Sequence, residues 1–287
     1  ALLYLGGAGA FNTLADAAFE SNQAGAALGT SVAGGGDVNG DGFADVVLGA
    51  PLYDDGQSSE GAVFVFHGGS VVNAVVDAIV QQDIAGALFG TDVALADTNG
   101  DGYADLAAGA PLATDFGIAE FGLAFIRTGS AAGLGAENYR IRGQATTTTA
   151  GRFGSTLAFA DYNADGYPEL FVGAPDESGG AGRDGQGYSY LVRSGVRLDA
   201  TIDDTKDGTQ SGAQLGHAMA TGDINRDGLA DLAVGLPNFD TGTLDVGRVE
   251  VYFGVAGGFN ATPDIILNGN TQQARFGRAI AIGDFNG

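Results

Sequence analysis

The chain has 287 residues, 45% hydrophobic and 16% charged, with 51 glycines against 6 prolines. That balance describes a folded protein of many tight turns and excludes a disordered one. A formal net charge of −23 repels phosphate backbones and anionic lipid, which excludes nucleic-acid and membrane-surface roles, and the lack of cysteine excludes a disulfide scaffold, a thiolate metal site and a cysteine nucleophile.

The opening residues, 1–10, are apolar but lack a basic lead-in, and Leu3-Tyr4-Leu5-Gly6-Gly7 matches Val63-Phe64-Val65-Phe66 before Gly68-Gly69. They read as a strand and not as a signal peptide. No run approaches the roughly 18 apolar residues of a membrane span, so membrane insertion is not expected.

From residue 25 onward one pattern recurs. A small-residue strand (31–36, 92–96, 156–160, 218–222 and 279–283) leads into an acidic loop. The loops occupy 37–45, 97–105, 161–169 and 223–231, and a fifth begins at Asp284; subtracting first positions gives spacings of 60, 64, 62 and 61. Next comes a short apolar strand ending in Gly49-Ala50-Pro51, Gly109-Ala110-Pro111, Gly173-Ala174-Pro175 or Gly235-Leu236-Pro237. Proline stops the strand there because it has no N–H for the ladder. Polar loops follow at 52–60, 112–120, 176–186 and 238–246, then alternating strands at 62–67, 122–127, 188–193 and 248–253. A weaker fourth strand lies near 77–81, 138–142, 200–204 and 264–267. Residues 71–80 could form a turn of helix, but a β edge is expected. Each unit reopens with Phe89-Gly90, Phe153-Gly154 or Phe276-Gly277, varied as Leu28-Gly29 and Leu215-Gly216.

Four strands per unit, repeated at a regular pitch, is the arithmetic of an all-β, four-stranded antiparallel β-propeller. The expected division of this single propeller, 1–287, is a partial blade at 1–24, full blades at 25–85, 86–149, 150–210 and 211–272, and a truncated blade at 273–287. The reading is of a fragment, or the ordered part, of a larger ring.

The acidic loops carry the chemistry. Calcium takes six to eight oxygens, and alternate positions of one loop can fold them around a point. The first loop offers Asp37, Asn39, Asp41, the Phe43 carbonyl and Asp45; the second Asp97, Asn99, Asp101, the Tyr103 carbonyl and Asp105. The third offers Asp161, Asn163, Asp165, the Tyr167 carbonyl and Glu169, and the fourth Asp223, Asn225, Asp227, the Leu229 carbonyl and Asp231. All-oxygen donors select a hard cation, and magnesium wants a stricter octahedron, so about four Ca²⁺ are expected, one per complete loop. An EF-hand would need Glu at loop position 12, where Leu48, Ala108, Val172 and Val234 stand instead. Asx turns alone would explain one such loop, but not four with donor types in fixed order. Glycine at the sixth position, Gly42, Gly102, Gly166 and Gly228, marks a turn with positive φ. The fourth position, Gly40, Gly100, Ala164 and Arg226, shows no such demand. Glu169, longer and preceded by Pro168, is expected to alter how its loop holds an ion.

These residues resemble the FG-GAP repeat of integrin alpha-subunit propellers and of bacterial FG-GAP/VCBS-type surface proteins. The resemblance rests on Phe89-Gly90, the 97–105 loop and Gly109-Ala110-Pro111, and on the same three elements elsewhere in the chain. It implies a seven-bladed ring, calcium between first and second strands, and ligand recognition on the opposite face through the loops joining strands two to three and four to one. No Arg-Gly-Asp motif occurs; Gly182-Arg183-Asp184-Gly185 is only superficially similar. FG-GAP repeats also accompany glycosylphosphatidylinositol-specific phospholipase D, whose chemistry lies outside the propeller.

The expected function is a calcium-stabilised extracellular module, secreted or at the cell surface, for adhesion or protein–protein interaction. The alternative is a carbohydrate-binding propeller, a lectin or the accessory part of a secreted hydrolase or lyase. Sugar sites favour aromatic platforms, and the recognition loops offer Tyr53 and Phe116, each expected to be a packing residue. Catalysis is not expected: His67 and His217 are the only histidines, in different repeats, without a nucleophile motif nearby. Lys206, the sole lysine, sits in a polar stretch with no assigned role.

Overall fold

In the computed structural model the described residues are 1–6, 13–71, 73–115, 117–143, 150–177, 188–192, 201–255 and 258–283. They form strands and turns, without helices. β1 (Leu2–Leu3) and β2 (Ala17–Ala18) pair antiparallel. Four sheets follow. The first joins β3 (Val32–Gly34), β4 (Val46–Ala50), β5 (Ala62–Phe66) and β6 (Ala78–Val80). The second joins β7 (Val93–Ala96), β8 (Asp105–Ala110), β9 (Leu123–Arg127) and β10 (Glu137–Arg142). β11 (Thr156–Ala160), β12 (Glu169–Ala174), β13 (Tyr188–Val192) and β14 (Asp204–Asp207) make the third. The fourth holds β15 (Met219–Gly222), β16 (Asp231–Leu236) and β17 (Arg248–Tyr252), then a hairpin of β18 (Gly254–Val255) and β19 (Gly258–Phe259), and closes with β20 (Ile265–Asn268). Each sheet is an antiparallel meander, and the first strands of successive sheets lie side by side. These are β-propeller blades.

Residue size explains the arrangement. First strands contribute Ala33, Ala94, Ala96, Ala158, Ala160 and Ala220, small enough for neighbouring blades to converge. Second strands are sandwiched between blades, and β8, β12 and β16 are buried along their whole length. They are therefore apolar on both faces, as in other doubly covered sheets. The core is a series of clusters between blades: Val63 and Val65 pack with Phe89, Leu106 and Phe125 from the next sheet.

The glycine of each Gly-Ala-Pro-type strand end meets the following blade. A methyl group on Gly49 would fall 1.9 Å from the Gly90 carbonyl oxygen; on Gly109, 1.9 Å from that of Gly154; on Gly173, 2.2 Å from that of Gly216. Beside that contact the preceding aromatic is enclosed: Phe89 and Phe153 are fully buried, and their N–H groups bond to Glu60 and Phe121 carbonyls of the previous blade. The Phe-Gly and Gly-Ala-Pro motifs are thus two halves of one joint.

Two expected strands differ. The fourth strand of the third sheet is Asp204–Asp207, later than 200–204, because Tyr188 pairs with Asp207 and Leu191 with Asp204. This register buries Lys206, which ion-pairs with Asp204 at 2.9 Å and lies 5.8 Å from the Tyr252 ring centroid. So the sole lysine has a structural place after all. Residues 279–283 form no strand, since no described residue pairs with them, although Ile280 and Ile282 pack on Val249 and Val251. The ambiguous run at 71–80 ends in a β edge, β6, as expected.

Candidate metal centres

All four complete acidic loops join the first strand of a blade to its second, and their internal geometry repeats. The first-position carboxylate faces inward. Asp37 Oδ2 accepts the Gly42 N–H at 2.8 Å, and Asp97, Asp161 and Asp223 accept from Gly102, Gly166 and Gly228 at 2.9, 2.8 and 3.0 Å. The third-position amide oxygen accepts the fifth residue's N–H, at 2.9 Å for Asn39, 2.8 Å for Asn99 and Asn163, and 2.9 Å for Asn225. The fifth-position carboxylate accepts the seventh residue's N–H: Asp41 from Phe43, Asp101 from Tyr103, Asp165 from Tyr167 and Asp227 from Leu229, at 2.8 to 3.0 Å. One loop winding therefore turns three oxygen-bearing side chains toward its own interior.

The ninth residue is different in kind. Asp45, Asp105, Glu169 and Asp231 are fully buried. Asp45 receives Val38 N–H at 2.7 Å on one oxygen and Gly68 N–H at 2.7 Å on the other. Asp105 receives Thr98 N–H and Gly129 N–H at 3.1 and 2.9 Å, and Asp231 receives Ile224 N–H and Gly254 N–H at 2.7 and 3.0 Å. Each of these aspartates ties the acidic loop to the turn after the third strand. Gly68, Gly129 and Gly254 are thus part of the site, although nothing in the loop motif points to them. Their signal is a fixed separation of 23 or 24 residues from the ninth aspartate. The second-position side chains Val38, Thr98 and Tyr162 are buried and anchor the loop from below, whereas Ile224 is exposed.

Glu169 stands apart. Its oxygens accept Tyr162 N–H at 3.2 Å and the Asn163 side-chain amide at 3.0 Å. Burial, against the Tyr162 hydrogen bond and reinforced by Asp165 and Asp161, pushes its carboxyl up to about 8. Burial likewise raises Asp105, opposed by bonds from Thr98 and Gly129. At Asp37 slight burial is outweighed by N–H groups of Gly42, Gly40, Asp41 and Asn39, which hold its carboxyl below the ordinary aspartate value.

The backbone corrects one expectation. The sixth-position glycines have φ of 87° to 91°, but the fourth position is left-handed too: Gly40 74°, Gly100 71°, Ala164 57° and Arg226 63°. Alanine and arginine occur there because a φ near 60° lies in the small left-handed basin that side chains tolerate at a cost, whereas φ near 90° is left to glycine.

Among the described residues no three Asp, Glu, His or Cys side chains converge closely enough to hold a metal ion by themselves. In the first loop the ninth carboxylate, Asp45, is fully buried and bonded to the Val38 and Gly68 N–H groups, apart from the more exposed Asp37 and Asp41. Carboxylate oxygens keep further acceptor capacity beyond the N–H bonds they make here. The donors are all hard oxygens, which fit calcium.

Elsewhere, Tyr53 packs edge-on against Phe64, centroids 5.3 Å apart, which makes it a packing residue. Phe116, the 178–186 stretch and Asp284 lie outside the described residues. His67 follows β5 on the acidic-loop side and pairs with Asp77 at 3.8 Å. His217 precedes β15 at the opposite end of its blade; burial and then Arg278 and Arg275 lower its pKa, against Asp176. The two imidazoles share no site.

Fold and loops define a class: a β-propeller whose blades each carry an oxygen-rich loop between first and second strands. The FG-GAP repeat model matches residues 28–66, 89–123, 153–192 and 215–252, over half of the chain, and the chain belongs to this family. It is 32% identical over 181 residues to phosphatidylinositol-glycan-specific phospholipase D of Bos taurus, covering 57% of this chain and 21% of that protein. It is 31% identical over 221 residues to integrin alpha pat-2 of Caenorhabditis briggsae (70% and 17%), and 36% over 143 residues to human integrin alpha-6 (46% and 11%). The chain thus spans about a fifth or less of the length of these relatives. It also superposes on Bacillus licheniformis rhamnogalacturonan lyase PL11 with TM-score 0.46 and 14% identity, over 77% of this chain and 46% of that one, too loose a likeness to carry an argument.

Proposed function

We propose that this chain is a calcium-stabilised, non-catalytic binding module of an extracellular protein, which recognises a protein ligand on the face opposite the acidic loops. One observation carries the reading. Four consecutive blades repeat the same donor order at the same place, and in three of them a buried ninth aspartate clamps the loop to the blade's far turn. Each loop would hold one ion: Asp37, Asn39, Asp41, the Phe43 carbonyl and Asp45 in the first, and the corresponding residues in the other three. Bound calcium neutralises carboxylates that otherwise repel one another, so its role is structural.

The blades then serve as a rigid base for the loops between second and third strands and between fourth and first, where recognition concentrates on such scaffolds. On that face Arg152 bridges Glu120 and Asp176 of adjacent blades, each at 3.2 Å. The edge-on contact of Tyr53 with Phe64 suits a packing residue, which supports a protein ligand over a glycan. An extracellular setting suits calcium modules of modest affinity, and no helix among the described residues is long and apolar enough to cross a membrane.

The test is capture by the immobilised chain. Protein binding that chelator abolishes, with a blank glycan array, is the expected outcome. Glycan signals without protein capture would favour the carbohydrate-binding alternative and defeat this reading.

A further inference from the structure

The acidic loops are not isolated from one another. The Asp37 carbonyl of the first loop accepts the Ala104 N–H of the second at 2.8 Å. The Tyr103 ring of the second loop lies on Gly40 of the first, where an added methyl group would fall 2.4 Å from Cε1. Tyr167 of the third loop lies on Gly100 of the second in the same way, at 2.8 Å. Both tyrosines occupy the seventh position. The carbonyl each offers its own loop and the ring it lays on a neighbour therefore belong to one residue.

The contacts weaken along the chain. Pro168 stands where Ala104 does and has no N–H to give to Asp97. At the next junction the third loop has Ala164 in place of the glycine, and the fourth loop has Leu229 in place of the tyrosine.

We propose that Tyr103 and Tyr167 couple cation binding in the first three loops, most strongly between the first and second, and that the fourth loop binds on its own. This rests on the calcium reading above and adds how the sites influence one another. An ion that draws in the Tyr103 carbonyl immobilises that residue and with it the ring on Gly40. The first loop then gives up less conformational freedom when it takes its own ion, which is positive cooperativity without a change of fold. The second loop is the hub, since it lends a ring to the first and receives one from the third. By linkage the influence runs equally in both directions.

Calcium titration of the 287-residue chain by isothermal calorimetry tests this, with fluorescence in parallel, because 9 tyrosines emit with no tryptophan to mask them. The expected result is cooperative uptake of three ions, with a Hill coefficient above one, and independent uptake of a fourth. Tyr103→Leu and Tyr167→Leu should keep the number of ions but lower the Hill coefficient and weaken binding about fivefold in the affected loops, the low end of ordinary couplings. Gly40→Ala should reproduce Tyr103→Leu from the other side of the contact, and it serves where Tyr103→Leu does not fold. Ala164 occupies the equivalent position at φ 57° against 74° for Gly40, so alanine can be accommodated there at a backbone strain. Independent uptake in the unaltered chain, or unaltered cooperativity in the variants, overturns the coupling and leaves calcium binding standing. No heat and no emission change at all would remove both.

Discussion

At the scale of single residues, the ninth-position aspartates separate two roles that the motif merges. Asp45 is an ion ligand in the proposed site, and it also satisfies two buried N–H groups, from Val38 and Gly68. Leaving a buried donor without a partner costs about 1 to 3 kcal/mol. Asp45→Ala should therefore destabilise the chain by about 2 to 6 kcal/mol even in chelator, as read by denaturant unfolding. Asp41→Ala, on an exposed carboxylate, should lose calcium stabilisation and little else. Asp92 carries a different load near the propeller axis. Its two oxygens accept Ser31 Oγ–H at 2.8 Å and Leu157 N–H at 2.7 Å, which links three successive blades. Burial raises its carboxyl above the ordinary 3.8, against bonds from Ser31, Leu157 and Val93. The folded chain thus holds this proton more tightly than the unfolded one does. Its contribution is fully present below pH 3.8 and is lost as pH rises through the raised folded value. Asp92→Asn should flatten that part of the stability–pH profile relative to the unaltered chain, which unfolding at a series of pH values would show.

At the scale of the element, the blade joint is where the repeat motifs act. Phe89 is fully enclosed and meets Phe125 at 5.6 Å in an edge-to-face contact. Phe89→Ala should cost about 3 to 5 kcal/mol by leaving a cavity between blades. Gly109→Ala should be worse, since a methyl 1.9 Å from a backbone carbonyl cannot be relieved by a rotamer change; insoluble expression is the expected readout. These joints and loops were legible in the sequence because each needs a particular residue type: a glycine where a carbonyl intrudes, an aromatic where a gap is filled, an acid where a loop turns inward. What was not legible depended on partners distant in the chain. β14 is a strand through its register against β13, and its Asp-Thr-Lys-Asp composition gave no sign of it. The left-handed fourth loop position was hidden because Ala164 and Arg226 pay a strain that sequence alone does not display. Gly68, Gly129 and Gly254 join the site only when the third strand has turned back beside the loop.

At the scale of the whole molecule, the propeller carries a large concentrated negative charge. Of its −23 net charge, three carboxylates fall in each of four short loops, and their mutual repulsion works against the folded blades until an ion offsets it. An ion held at a hundredfold excess over its dissociation constant stabilises by about 2.7 kcal/mol per site. Four sites should therefore raise the melting temperature by more than about 10 °C in calcium over chelator. The effect should shrink as ion sites are removed singly. Native mass spectrometry of the calcium-equilibrated chain counts the ions directly. Four are expected, falling to three in Asp101→Ala; a chain that stays folded and bare in ample calcium would contradict the calcium reading.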